Sequence, residues 1–171
     1  PTKLDLPPPR PMPDTLGPLH LRRFRLSDAS AIEPWLAGPG LSLPGGAARR
    51  EWPRRLLADA RIVALVGVVG RHRVGLVRLD CGPDGVAEVT LVVAPEHRRR
   101  GQGRALFQAA LGEARRLGLR RLVALIDFSN SPAFGFFSEQ GFERDGVVGD
   151  RIRMVRVVHA RLDAPWLDVT A

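Results

Sequence analysis

Apolar positions recur along this chain with two periods, and the places where the period changes mark its elements. Leu19–Leu26 has a short strand pattern, Ser27-Asp28 offers a helix cap, and Ala29–Leu36 follows as a short helix. A Gly- and Pro-rich loop spans 38–46, and Ala47–Ala60 returns to helical spacing, with Leu56, Leu57 and Ala60 on one side and Pro53 setting its start or kinking it. A meander comes next. Ile62–Val69, Val74–Asp80 and Val86–Ala94 read as strands, separated by turns at Gly70-Arg71-His72 and Gly82-Pro83-Asp84-Gly85. From about Gln102 to Leu117 the apolar positions Leu106, Ala110, Ala114 and Leu117 fit a helix, with Gly118 beyond its end. Leu122–Ile126 is a buried strand, Ser131 caps a short helix that Gly141 ends, and Ile152–His159 is a final strand, with a further one near Phe142–Val148. The order, a strand, two helices, three antiparallel strands and then αβαβ, predicts one α+β domain.

The densest chemical signal lies at the end of the third meander strand. Leu91-Val92-Val93-Ala94-Pro95 gives way to Arg98-Arg99-Arg100, then Gly101-Gln102-Gly103, then a helix beginning near Arg104. A strand, a basic glycine turn and a helix start in series aim backbone N–H groups and a positive helix end at one point, which suits a phosphate or pyrophosphate. The plainer alternative is a tight turn shaped by Gly101 and Gly103 beside a solvated run of arginines.

Composition narrows the classes. At 171 residues the chain holds one domain, here 19–160, between a proline-rich arm at 1–18 and a tail at 161–171. No apolar run approaches the roughly 20 residues of a membrane helix, and residues 1–18 lack the apolar stretch of a secretory signal. One cysteine, Cys81, excludes an internal disulfide and fits a reducing cytoplasm; beside a turn it reads as an incidental thiol. The net charge is +8, and all of the 26 basic side chains except Lys3 are arginine. This suits an anionic ligand or partner, although the codon bias of a GC-rich genome accounts equally well for the overall excess. His20, His72, His97 and His159 are dispersed without ligand spacing, so no metal is expected. No nucleic-acid-binding motif is present. Trp35, Trp52 and Trp166 read as packing residues.

Two motifs, set in this order of elements, resemble the GNAT-type acetyl-CoA-dependent N-acetyltransferases. Arg98-Arg99-Arg100-Gly101-Gln102-Gly103 matches their R/Q-x-x-G-x-G/A signature behind Val93-Ala94-Pro95. Asn130-Ser131-Pro132-Ala133, followed by Phe136-Phe137 and Gly141-Phe142, matches their N-x-x-A pattern ending in an aromatic and Gly-Phe. The resemblance runs from about Leu19 to His159. It implies a GNAT-like α+β fold, a mixed, mostly antiparallel central sheet of about six to seven strands flanked by helices, and acetyl-CoA as co-substrate. Arg98, Arg99, Arg100, Gly101, Gln102, Gly103 and Arg104 would hold the phosphates. Leu91, Val92 and Val93 would pair with the pantetheine arm where two strands splay, and Asn130, Ala133 and Phe137 would approach it from the other side.

Glu88, which interrupts an apolar strand on the face of Thr90 and Val92, is the best candidate general base for an amine; Asp127 and His97 are weaker ones. At the position of Phe137 the family usually has a tyrosine that protonates the leaving thiolate. This chain has no tyrosine at all, so water or Ser138 would have to serve. The resemblance therefore implies an acetyltransferase acting on a primary amine of a small molecule or protein, with a catalytically weak acyl-CoA-binding or regulatory module as the alternative. The positive charge argues against polyamine acceptors and for amines on neutral or anionic carriers. An exposed last strand would allow pairing between copies, as in a homodimer.

Overall fold

The computed structural model of the protein describes residues 17–37, 47–98 and 100–159. The expected arm before residue 17, the 38–46 loop, Arg99 and the C-terminal tail lie outside the described residues. Seven strands form one sheet: β1 (His20–Arg23), β2 (Ile62–Val69), β3 (His72–Cys81), β4 (Val86–Val93), β5 (Arg121–Asp127), β6 (Glu143–Val148) and β7 (Arg151–Val157), in the spatial order β1-β2-β3-β4-β5-β7-β6. Every pairing is antiparallel except β4 with β5. The helices are α1 (Ala29–Ile32), extended by 3-10 turns on both sides, α2 (Ala47–Ala58), α3 (Gln102–Arg116) and α4 (Ser131–Glu139). The α+β reading holds, with the full seven strands.

Two apolar clusters cover the two faces of the sheet. On one, Leu106, Phe107, Ala110, Leu111 and Ala114 of α3 pack with Phe137 of α4 against Ala87, Val89, Leu122, Ala124 and Ile126. On the other, Ile32, Trp35, Leu36 and Leu56 pack against Ala64, Val66, Leu76 and Val92. Alternation along β4 therefore turns Ala87, Val89, Leu91 and Val93 toward α3 and α4, and Glu88, Thr90 and Val92 toward α1 and α2. Helix α3 is seated by a glycine notch. A Cβ on Gly67 or Gly75 would come within 2.6 Å of Leu106, so both positions keep open the slot that its side chain fills. That seat sets the start of α3 directly after the end of β4.

Local boundaries differ from expectation in instructive ways. The cap of α4 is Asn130, whose Oδ1 accepts from the Ala133 N–H at 3.3 Å, one residue earlier than the expected Ser131. Leu57 is exposed while Leu56 is buried, so the inward stripe of α2 is narrower than its apolar content suggests. Pro53 lies inside α2 without ending it. The first strand shrinks to four residues because the chain turns at Phe24 to begin α1. Asp28 organises that turn. Its fully enclosed carboxylate accepts from Arg22 at 2.7 and 2.8 Å, from Arg73 Nε at 2.8 Å and from the Arg25 N–H at 2.8 Å.

Candidate active site

Strands β4 and β5 run side by side only briefly. Their ladder joins Val86 to Arg121, Ala87 to Leu122 and Glu88 to Val123, and ends there. β4 stays paired with β3 through Val93, and β5 stays paired with β7 through Asp127, so the sheet splits between β4 and β5. The divergence opens a cleft of about 720 Å³, lined by Glu88–Val92 of β4, Ala124–Asp127 of β5, Asn130, Ala133 and Phe137 at α4, and residues of α2 and β3.

Hydrogen-bond parity decides which backbone groups face the gap. The Ala94 N–H donates to the Val74 carbonyl at 2.9 Å, and the Val86 carbonyl accepts from the Gly82 N–H at 2.8 Å. In an antiparallel ladder the bonded direction alternates residue by residue. The even-numbered residues of β4, Val92 among them, thus face β3, while Val89, Leu91 and Val93 direct their N–H and C=O groups toward the side that β5 has left. The Val93 carbonyl already accepts from Arg98 Nε at 3.1 Å. Leu91 lies beyond the last β5 partner, so its N–H and C=O are offered to the cleft. Of the three residues expected to pair with pantetheine, Val92 has its backbone turned to β3.

The phosphate-binding candidates gather at the start of α3. Gly101 adopts a left-handed conformation (φ 75°) as the residue preceding the helix, and no side chain caps the exposed amides of the first turn. The first helical bond is Ala105 N–H to the Gly101 carbonyl, so the N–H groups of Gln102, Gly103 and Arg104 are left for an anion. Arg98, Arg100 and Arg104 are exposed around them. A Cβ at Gly103 would stand 3.4 Å from the Phe136 ring and 3.6 Å from Val93, so this glycine keeps α3 and α4 close to the end of β4. Of the expected site residues, Glu88, Leu91, Val92, Asn130, Ala133 and Phe137 line the cleft itself, whereas Val93, Arg98, Arg100 and Gly101–Arg104 sit beyond its rim.

Glu88 stands on the cleft wall with no hydrogen bond or ion pair among the described residues. Burial first, and then the Asp80 carboxylate directly across the β3–β4 ladder, push its carboxyl above the usual glutamate range, while Arg151 and Arg78 pull part-way back. Asp80 is itself held by Arg78 at 2.8 and 2.9 Å. Asp127 faces the same cleft, 3.4 Å from Arg151 Nε. His97 lies outside it, its ring 6.3 Å from that of His72 and its buried Nδ1 without a hydrogen bond. Phe137 is buried in an aromatic cluster with Phe136 and Phe142, with ring centroids at 5.3 and 5.0 Å. Among the described residues no three His, Cys, Asp or Glu side chains gather as metal ligands would, and no helix is long and apolar enough to cross a membrane.

The chain has counterparts among known proteins. Residues 27–142 match the acetyltransferase (GNAT) family. The chain belongs to the GNAT acetyltransferase family. Mycothiol acetyltransferases of Geodermatophilus obscurus and Cellulomonas flavigena are 38% and 49% identical over 69 and 79 residues, or 40% and 42% of this chain. Those matches span only 22% and 23% of the two relatives' own lengths. The crystal structure of a spermidine N-acetyltransferase from Vibrio cholerae, in complex with CoA and spermine, superimposes with a TM-score of 0.71. It is 22% identical and covers 82% of this chain and 95% of its own, a likeness of GNAT fold.

Sequence reasoning missed Asp80, Arg78 and Arg151 as neighbours of Glu88. The first two were within reach. Counting outward from the Gly82–Val86 closure of the hairpin sets Asp80 opposite Glu88 and Arg78 opposite Thr90. Arg151, the α2 wall of Trp52, Arg55 and Leu56, and Asp59 just beyond that helix come from tertiary packing and carry no local signal.

Proposed function

We propose that this protein transfers an acetyl group from acetyl-CoA to a primary amine by direct attack. The observation that carries the reading is the cleft between diverging strands, with the free Leu91 backbone edge and the unpartnered Glu88 on the same β4. The amides of Gln102, Gly103 and Arg104, with Arg98, Arg99, Arg100 and Arg104, hold the pyrophosphate and ribose phosphate. Leu91 pairs with the pantetheine amides, and Asn130 and Ala133 border it from α4. Asn130 already uses Oδ1 as the helix cap, which leaves its NH₂ as the group free to donate.

Glu88 takes a proton, through water, from the acceptor ammonium. An alkyl ammonium with pKa about 10.4 is almost wholly protonated at pH 7, so a base with a raised pKa is well matched to the task. The neutral nitrogen attacks the thioester carbonyl, the tetrahedral intermediate collapses, and the C–S bond breaks as the N–C bond remains. The nitrogen loses its second proton to solvent, and the thiolate leaves without a tyrosine donor. A thiolate with a cysteine-like pKa of about 8.5 tolerates that loss.

Calorimetry and thiol release test this together. Acetyl-CoA should bind saturably, and Gly103→Trp, which drives an indole into Phe136 and Val93, should weaken binding at least tenfold. Unchanged affinity in that variant would reject the site. The second reading, an acyl-CoA-binding module, is favoured by Phe137, which has no proton to give. Binding without turnover on any amine would select it.

A further inference from the structure

The ionisable groups of the cleft pair off with a remainder at each end. Asp80 is held by Arg78, and Asp127 meets Arg151. Asp59 accepts from Arg61 three times, from its N–H at 2.9 Å, Nε at 3.2 Å and Nη2 at 3.0 Å. Among the described residues that line the cleft this leaves Glu88 as the carboxylate, and Arg55 on α2 as the guanidinium, without an ion pair. Glu51 and Asp59 flank Arg55 one turn away on either side, yet neither is joined to it. Beside the paired Asp59, Arg78 and Asp80, the same lining carries the apolar side chains Leu36, Trp52, Leu56, Ile62 and Leu76. An unpaired negative point on β4 and an unpaired positive point on α2, in one cleft that also presents apolar side chains, form a template for a molecule carrying the opposite charges.

We propose that the acceptor is a primary amine joined through a short apolar stem to an anionic group, a carboxylate or phosphate, which Arg55 receives while the amine meets Glu88. The proposal rests on the acetyl-transfer reading and adds the class of acceptor. A second ammonium in place of the anion would face Arg55 and be repelled, so diamines and polyamines are disfavoured, although Glu88 alone would attract them.

A matched series tests it: ω-amino carboxylates, n-alkylamines and α,ω-diamines with stems of about four to eight carbons, assayed by thiol release from acetyl-CoA. The expected order of kcat/KM is anionic, then neutral, then cationic tail, with about tenfold between the extremes. Arg55→Ala should raise KM for the anionic tail several-fold with kcat little changed. Arg55→Glu, a reversal at an exposed helix position, should invert the order. Diamines preferred by the wild type, or an order indifferent to Arg55→Glu, would overturn the proposal while leaving acetyl transfer standing. Thiol release with none of the series would overturn this proposal, while the acetyl-transfer reading falls only if a broad panel that includes protein amines also gives no release.

Discussion

Asp28 and Glu88 are both withdrawn from water, yet their surroundings push them in opposite directions. Burial alone would raise the pKa of either. At Asp28 the hydrogen bonds from Arg22, Arg73 and the Arg25 backbone outweigh burial and hold the carboxyl far below the usual aspartate range. At Glu88 no donor arrives, so burial and the facing Asp80 leave it raised. The satisfied carboxylate ties β1, β3 and the turn into α1 together. The unsatisfied one points into the cleft, where an unpaired group is costly to the fold and useful to chemistry. On the proposed function, the difference separates a structural charge from a reactive one before any substrate is considered.

Removing the charge at Glu88 should have the largest effect. Glu88→Gln should lower kcat/KM by about 100-fold or more and abolish the acid limb of the pH–rate profile, leaving acetyl-CoA affinity unchanged by calorimetry. Asp28→Ala should do the reverse. Unfolding free energy should fall by about 3 kcal/mol, because two arginines lose their shared partner, and the thermal midpoint by roughly 6–12 °C; acetyl-CoA affinity in the folded fraction should stay near wild type. The stability that Asp28 supplies is present above its unfolded pKa of about 3.9 and is lost only as pH falls through its depressed folded value. Phe137→Tyr should raise kcat about tenfold if a hydroxyl at the cleft wall protonates the thiolate; stopped-flow thiol release reads it. The smallest effect belongs again to Glu88. Its folded pKa lies above its unfolded one, so ionisation opposes folding at neutral pH. Glu88→Gln should therefore raise the midpoint at pH 7, by about 2 °C or less, and the gain should vanish in acid.

How much could be read in the sequence follows from the range of each interaction. The meander, α3 and β5 were legible because their apolar periods and their turn glycines are local. Gly118 and Gly141 have positive φ where helices end, as their positions implied. The glycine turn after β4 was legible as a motif, and Glu88 as a break in an apolar run. Leu91 and Val92 could not be told apart, because backbone direction depends on strand parity against β3. The notch that admits Leu106 required knowing that Gly67 and Gly75 face the same helix. The proposed acceptor side was the least legible: Arg55, Arg78 and Arg151 come from three separate elements, and in a chain with 26 basic residues none stands out until ion pairs are assigned.

Acetyl-CoA binding as proposed requires the free edge of β4, and amide hydrogen exchange followed residue by residue tests it directly. On adding CoA, exchange at the Leu91 N–H should slow markedly, while Thr90 and Val92, whose amides already face β3, should be unaffected. Exchange at Leu91 that is unaltered by saturating CoA, or slowing spread evenly over Thr90, Leu91 and Val92, would contradict it.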